Sequence, residues 1–268
     1  MKLKLFCVTA LLATGVLAAP AFAQGLSIPP RQDARSPNGV SYGSGAFTHS
    51  ARDLSIGGDF PQGLTLDRTY ISNVHYTSLG GIGWTHNWVA RISLQPVPLE
   101  TDMESPLADP RRAPQIYNVT VGGHSVGFIG GSHFPPATGY PQGTYEPIAQ
   151  TGASLVYTGT DPTNGYYIFT DSDGSVIDFV SGGQPQQIVD WTTPDGTRLT
   201  FTYDGTGNTR SVISNRGYAL LFEPPPVSGQ RKVCAVNMAQ HYVIATSTCP
   251  TGTQSVTYSY TAAPANSA

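Results

Sequence analysis

"DGTRLTFTYDG", Asp195 to Gly205, puts Leu199, Phe201 and Tyr203 on one side of an extended chain and Arg198, Thr200 and Thr202 on the other. A period of two residues marks a strand with one buried face. Asp195-Gly196 before it and Asp204-Gly205 after it are turn signals, so the stretch reads as one arm of a β-hairpin. No window of useful length along the chain shows helical periodicity.

The unit recurs. Gly174 is followed at three and five residues by Ile177 and Phe179, Gly196 by Leu199 and Phe201, and Gly217 by Leu220 and Phe222. These glycines are 22 and 21 residues apart, a period that reads as stacked hairpins. "QQIVDW" and "RSVIS" supply return strands, and a looser copy follows Gly252 in "TQSVTYSY". Gly123, with Val126 and Phe128 at the same offsets, begins one more copy after the strand-like "QIYNVTV".

That last copy decides a catalytic question. Gly123-His124-Ser125-Val126-Gly127 is a formal match to G-x-S-x-G, the elbow that presents a hydrolase serine. Such an elbow needs a helix directly after the serine. Gly130, Gly131, Pro135 and Pro136 follow instead, and they do not make one. Ser125 is expected to be a strand residue.

Composition agrees with many short strands. Of 268 residues, 30 are Gly and 22 Pro, and only 12% are charged. Lys2 and Lys4, the apolar run Leu5 to Ala19 and the small-residue end Ala21-Phe22-Ala23 form a secretory leader over residues 1–23. Removing those two lysines leaves 12 basic against 17 acidic residues, a net charge of −5. With no basic run, nucleic acid is not an expected partner, and no later stretch reads as a membrane span. Cys7 leaves with the leader. Cys234 and Cys249 then form a lone pair in an oxidising compartment, where a disulfide is expected rather than catalytic or metal-binding thiols.

The earlier part of the chain carries "DLSIGG" (Asp53 to Gly58), "LTLDRTYIS" (Leu64 to Ser72) and "GGIGWTHNW" (Gly80 to Trp88). These parts, in this order, resemble the N-terminal lead-in of the RHS family, and "FTYDGTG" resembles that family's YD repeat. The resemblance runs from about residue 38 to 261. It implies antiparallel hairpins winding into a spiralling β shell, often around a toxin attached at the far C-terminus. A handful of repeats is too few to close such a shell, and the self-cleaving core segment and effector are missing, so encapsulation and toxicity are not expected here. The matching positions Arg68, Tyr70, Ser72, Gly83, Trp84 and Asn87 have no known catalytic role in the family. Their chemistry reads the same way: Arg68 bonding carbonyls or Asp67, Trp84 as an apolar anchor after a glycine turn, Asn87 bonding backbone.

Other constellations are weaker. Asp171 and Asp173 before Gly174 hint at a calcium loop, but the further ligands and late glutamate of that pattern are absent, which favours a plain β-turn. The acidic, proline-rich stretch Pro98 to Pro114 reads as an exposed loop. His75, His86 and His133 lack partners at metal-ligand spacing and read as structural or surface residues; no metal or cofactor is expected. Tyr166, Tyr167, Trp191 and Tyr203 would stack on sugars if they shared an exposed face, though strand cores use the same residues. The sequon at Asn118 falls in an expected strand and carries no weight.

The chain is thus expected to be all-β: an N-terminal β region over 24–145, YD-type hairpins over 146–261 forming an open, incomplete spiral sheet, and a disordered tail over 262–268. Its expected role is non-enzymatic, a structural or binding module at the cell surface or in a larger assembly. The C-terminal β edge would meet a protein partner or a second copy. A carbohydrate-binding module and a hydrolase using Ser125 are the alternatives.

Overall fold

Turn chemistry fixes where the strands begin. The computed structural model describes residues 36–42, 45–73, 81–96, 115–122, 124–129, 143–159, 165–181, 186–224, 230–244 and 248–259. Gly174, Gly196 and Gly217 have φ of 85°, 80° and 88°, a region open to glycine at little cost. At Gly174 the Asp171 N–H donates to Ser175 O at 2.8 Å and the Gly174 N–H donates to Asp171 O at 3.0 Å. The Thr193–Thr197 turn has the same pair of bonds, both 2.9 Å. This is the three-residue hairpin loop with a left-handed glycine last. Three residues and five residues after each glycine, Ile177 and Phe179, Leu199 and Phe201, Leu220 and Phe222 are all buried in one core.

After "FTYD" the left-handed glycine is Gly207, not Gly205, with Asp204 N–H donating to Asn208 O at 2.9 Å. The aspartate explains its own place in the repeat. Asp204 Oδ1 accepts the N–H groups of Thr206 at 3.0 Å and Asn208 at 2.9 Å, replacing bonds that the turn denies them.

All described secondary structure is strand, and every pairing between named strands is antiparallel. β1 (Thr48–Ile56), β2 (Leu64–Ile71) and β3 (Trp84–His86) make a small sheet in that order. β4 (Ala90–Pro96), β5 (Gln115–Val121), β6 (His124–Ile129), β7 (Gly143–Pro147), β8 (Ser154–Gly159), β9 (Gly165–Thr170) and β10 (Val176–Val180) pair in chain order. β11 (Gln186–Thr192) pairs with β10 through Val176–Phe179 and with β4 through Ile92 and Arg91. Eight strands therefore close into a barrel-like ring. β12 (Arg198–Tyr203), β13 (Thr209–Ser214), β14 (Tyr218–Phe222), β15 (Gln230–Asn237) and β16 (Gln254–Ser259) extend the sheet from β11 as a flank.

The closure corrects the expected open spiral. Period and turns dictate hairpins, and those hairpins form. An unpaired strand edge, however, accepts any partner that reaches it, and β4 reaches β11. The ring is filled by Phe128, Leu155, Phe169, Ile177 and Phe179, each 0% exposed. Above them Tyr117, Tyr145, Tyr157 and Tyr167 form a layer of rings with centroids 4.6–6.1 Å apart.

The small sheet lies on the inner face of the flank. Leu54, Leu64 and Leu66 join Leu220, Phe222, Val233 and Tyr258 in the same core as the ring interior. The leader, Cys7, His75, Gly80, Gly123, His133, the Pro98–Pro114 loop and the 262–268 tail lie outside the described residues.

Candidate functional site

The lead-in residues come together on β2 and β3. Strand alternation places Arg68 and Tyr70 on the β2 face that also carries Leu64 and Leu66, and the β2–β3 register sets Arg68 opposite His86 and Tyr70 opposite Trp84. Arg68 lies 4.8 Å from the Trp84 ring centroid and 5.8 Å from that of Tyr258 on β16. Its Nε is 3.0 Å from Asp53 Oδ2, an ion pair whose N–H is not aligned for a hydrogen bond. Tyr258 donates its hydroxyl to the same oxygen at 2.5 Å. Asp67 instead pairs with Arg52 at 2.8 Å. Two arginines and two aspartates thus tie the N-terminal sheet together and hold it to the last strand.

Tyr70 packs between Phe47 and Trp84, with centroids 6.1 and 5.3 Å away. Gly83 makes that possible: at φ 81°, a Cβ there would sit 2.7 Å from the Tyr70 ring and 2.9 Å from Ile71 O. Ser72 closes the end of β2 by accepting the Phe47 N–H on Oγ at 2.9 Å and donating its own N–H to Phe47 O at 3.0 Å. Asn87 prolongs the β2–β3 ladder with its side chain. Its Oδ1 accepts the Asp67 N–H at 3.0 Å and its Nδ2 donates to Thr65 O at 3.1 Å.

The buried anchor of this region is Trp88 rather than Trp84. Trp88 is 2% exposed, donates Nε1–H to Thr65 O at 2.6 Å, and packs on Phe60, Trp191 and Phe201. Trp84 is only half-buried. Trp88 ends "GGIGWTHNW", five residues past Gly83 and four past Trp84, and spacing alone did not rank the two tryptophans. His86 beside it is sealed between sheets, stacked on Phe222 at 5.1 Å, and burial pushes its pKa down to about 3, with Arg231 reinforcing the shift.

Ser125 lies inside β6, exposed, with its Oγ 2.6 Å from Thr120 Oγ1. Strand continues after it to Ile129. Neighbouring His124 is turned to the other face by alternation and meets Asp171 at 3.2 Å. No His–Ser contact is made between them. Asp171 and Asp173 serve their own turn, accepting the N–H groups of Ser172 at 2.6 Å and Ser175 at 2.8 Å.

The four aromatics weighed as a sugar platform do not share a face. Tyr167 is in the ring core, Trp191 packs on Phe60 and Trp88, Tyr203 is packed against the core, and Tyr166 alone is well exposed, at 50%. Period-two alternation separates Tyr166 from Tyr167, which the sequence already implied.

Cys234 and Cys249 are bridged, with Cα atoms 5.8 Å apart. Cys234 is on β15, and Cys249 sits in the connection to β16. At the other side of β16 the described residues offer no paired strand. Within the described residues no helix is long and apolar enough to cross a membrane.

No curated protein matches the chain. Residues 37–103, the segment holding all six lead-in positions, match DUF6531, a domain of unknown function.

Proposed function

We propose that the chain is an exported, non-enzymatic β-repeat module of RHS type that works by association through the free edge of β16. The single observation that carries this reading is that edge. β16 ends the 13-strand order and is paired only with β15 among the described residues. Its run "QSVTYS" is rich in β-branched and aromatic residues, which suits strand addition by another β-rich chain or a second copy. The RHS-type lead-in and the YD-type turns supply the family expectation, in which hairpins are covered by further hairpins. The disulfide suits an oxidising compartment.

The exposed side chains Thr257 and Ser259 flank Tyr258, which is tied to Asp53. Lysines at 257 and 259 should reduce association, read by sedimentation of the mature chain, while the N-terminal sheet stays folded. A species that remains strictly monomeric at high concentration, with no partner recovered by crosslinking, would remove the reading.

A further inference from the structure

Strands β13 to β15 are buried on both faces. Inward, Val212, Leu220, Phe222, Val233 and Ala235 belong to the main core. Outward, Ala219, Leu221, Cys234 and Val236 are each 0% exposed and form a second cluster with Ile213, Met238, Val243 and Cys249. To either side, the same outer face is polar. Register places exposed Thr200 beside Ile213, and exposed Ser255 beside Cys234. The outer face therefore holds an apolar island three strands wide, of the kind that a soluble sheet must cover.

Its cover comes from Met238, Val243 and Cys249, in the described parts of the connection between β15 and β16. Met238–Ile244 and Thr248–Pro250 belong to no strand of either sheet. Met238 is fixed at the start by its N–H donating to Gly217 O at 2.9 Å. Further along, Val243 contributes apolar burial, while Tyr242 points to solvent at 88% exposure. The far end is held by the Cys234–Cys249 bond and by the Cys249 N–H donating to Glu223 Oε1 at 2.7 Å. No residue of this segment belongs to the main core, which joins the ring to the N-terminal sheet.

We infer that its described parts, Tyr242–Ile244 and Thr248–Pro250, act as a thiol-releasable strap: reduction of Cys234–Cys249 frees them and uncovers the outer apolar island at Val243, while the ring and the N-terminal sheet stay folded. Cys249 is half-buried and Cys234 fully buried, so the attack falls on Cys249 Sγ. A thiolate of a dithiol reductant forms a mixed disulfide there, and Cys234 leaves as thiolate and takes up a proton. The reductant's second thiol then displaces Cys249. The reductant ends as a cyclic disulfide, and both cysteines end as thiols, after transfer of two electrons and two protons.

Hydrogen exchange on the full mature chain, with and without dithiothreitol, tests this. Intact-mass alkylation counts the free thiols in each sample. The expected result is two thiols, a loss of protection by roughly tenfold or more at the Cys249 amide, which donates to Glu223 Oε1, increased binding of an anilinonaphthalene dye, and unchanged protection in β8 to β10. Cys249→Ser without reductant should show one thiol and the same changes in protection and dye binding. An amide at position 249 that stays protected in both the reduced protein and Cys249→Ser, with dye binding unchanged, would overturn the inference. So would parallel loss of protection in β8 to β10, which would make the bond a staple of the whole fold.

Discussion

His86 is a titratable ring placed where it does not titrate at ordinary pH. It is 3% exposed, and its Nδ1 accepts the Trp88 N–H at 3.2 Å, which leaves the ring proton on Nε2, a buried atom without a partner. With the folded pKa near 3 and the unfolded value near 6.5, the unfolded chain binds a proton first as pH falls. Stability from this residue is complete above pH 6.5 and is lost as pH drops towards 3, at up to ~1.4 kcal/mol per pH unit. His86→Phe keeps an aromatic on Phe222 and removes the titration. Between pH 7 and pH 5 the parent should therefore lose about 2 kcal/mol more than the variant, read from urea midpoints; equal losses would refute this. Tyr145 gives a second residue-scale test. Its hydroxyl is buried among the phenols of Tyr117 and Tyr167 without an aligned hydrogen bond, and burial first, then those neighbours, raises its pKa. Tyr145→Phe should be neutral or stabilising by about 1 kcal/mol, and a clear loss of thermal stability would show that the hydroxyl is bonded. Neither residue was assigned its environment from sequence, because burial under a second sheet is a long-range contact that local spacing does not encode. Asn87 was legible, since a backbone-bonding amide beside a turn follows from its own chemistry. Trp84 and Trp88 were harder to rank, because two tryptophans four apart in an irregular turn have no periodicity to separate inside from outside.

The hairpins were the most legible elements. Leu199 and Phe201 announce a buried face by spacing alone, and Gly196 marks where the chain must reverse. What the aspartates do also follows from chemistry, but only a structure shows which glycine takes the left-handed position, as Gly207 does after Asp204. Gly196 has no neighbour within 4 Å of a built Cβ, so Gly196→Ala is free of clashes and tests conformation alone. It should cost about 1–2 kcal/mol in unfolding free energy, the cost of a left-handed alanine, and a neutral result would mean that the turn shifts type. Asp204→Ala should cost about 1–2 kcal/mol as well, because it leaves the N–H groups of Thr206 and Asn208 without their acceptor and removes the Arg231 contact at 3.4 Å. The meeting of β11 with β4 was not legible. Among the described residues Gln186 and Gln187 make it, with Ile92 and Arg91, and nothing in those four residues marks them as a seam.

At the scale of the whole molecule, that seam changes what the lead-in segment is for. In an open spiral the first residues would cap one end of a growing sheet, and the later hairpins would be nearly independent of them. Here β1 to β3 lie over the flank, and Trp88 and Phe60 reach Trp191 on β11, where ring and flank join. The same core cluster holds Leu66 from the small sheet, Phe169 and Phe179 from the ring, and Val233 and Tyr258 from the flank. Apolar burial is shared across all three, so none has a core that is complete without the others. The described chain should therefore unfold in one cooperative step. Tryptophan emission reports on Trp84, Trp88 and Trp191 around the small sheet, and far-ultraviolet circular dichroism reports on all strands, most of them in ring and flank. Their urea transitions should coincide, and Leu66→Ala, at a position 0% exposed, should move both together by about 2–5 kcal/mol. Two separated transitions, with the emission change alone shifted by Leu66→Ala, would show that the small sheet is a unit of its own and that the shared core is too weak to couple it to the ring.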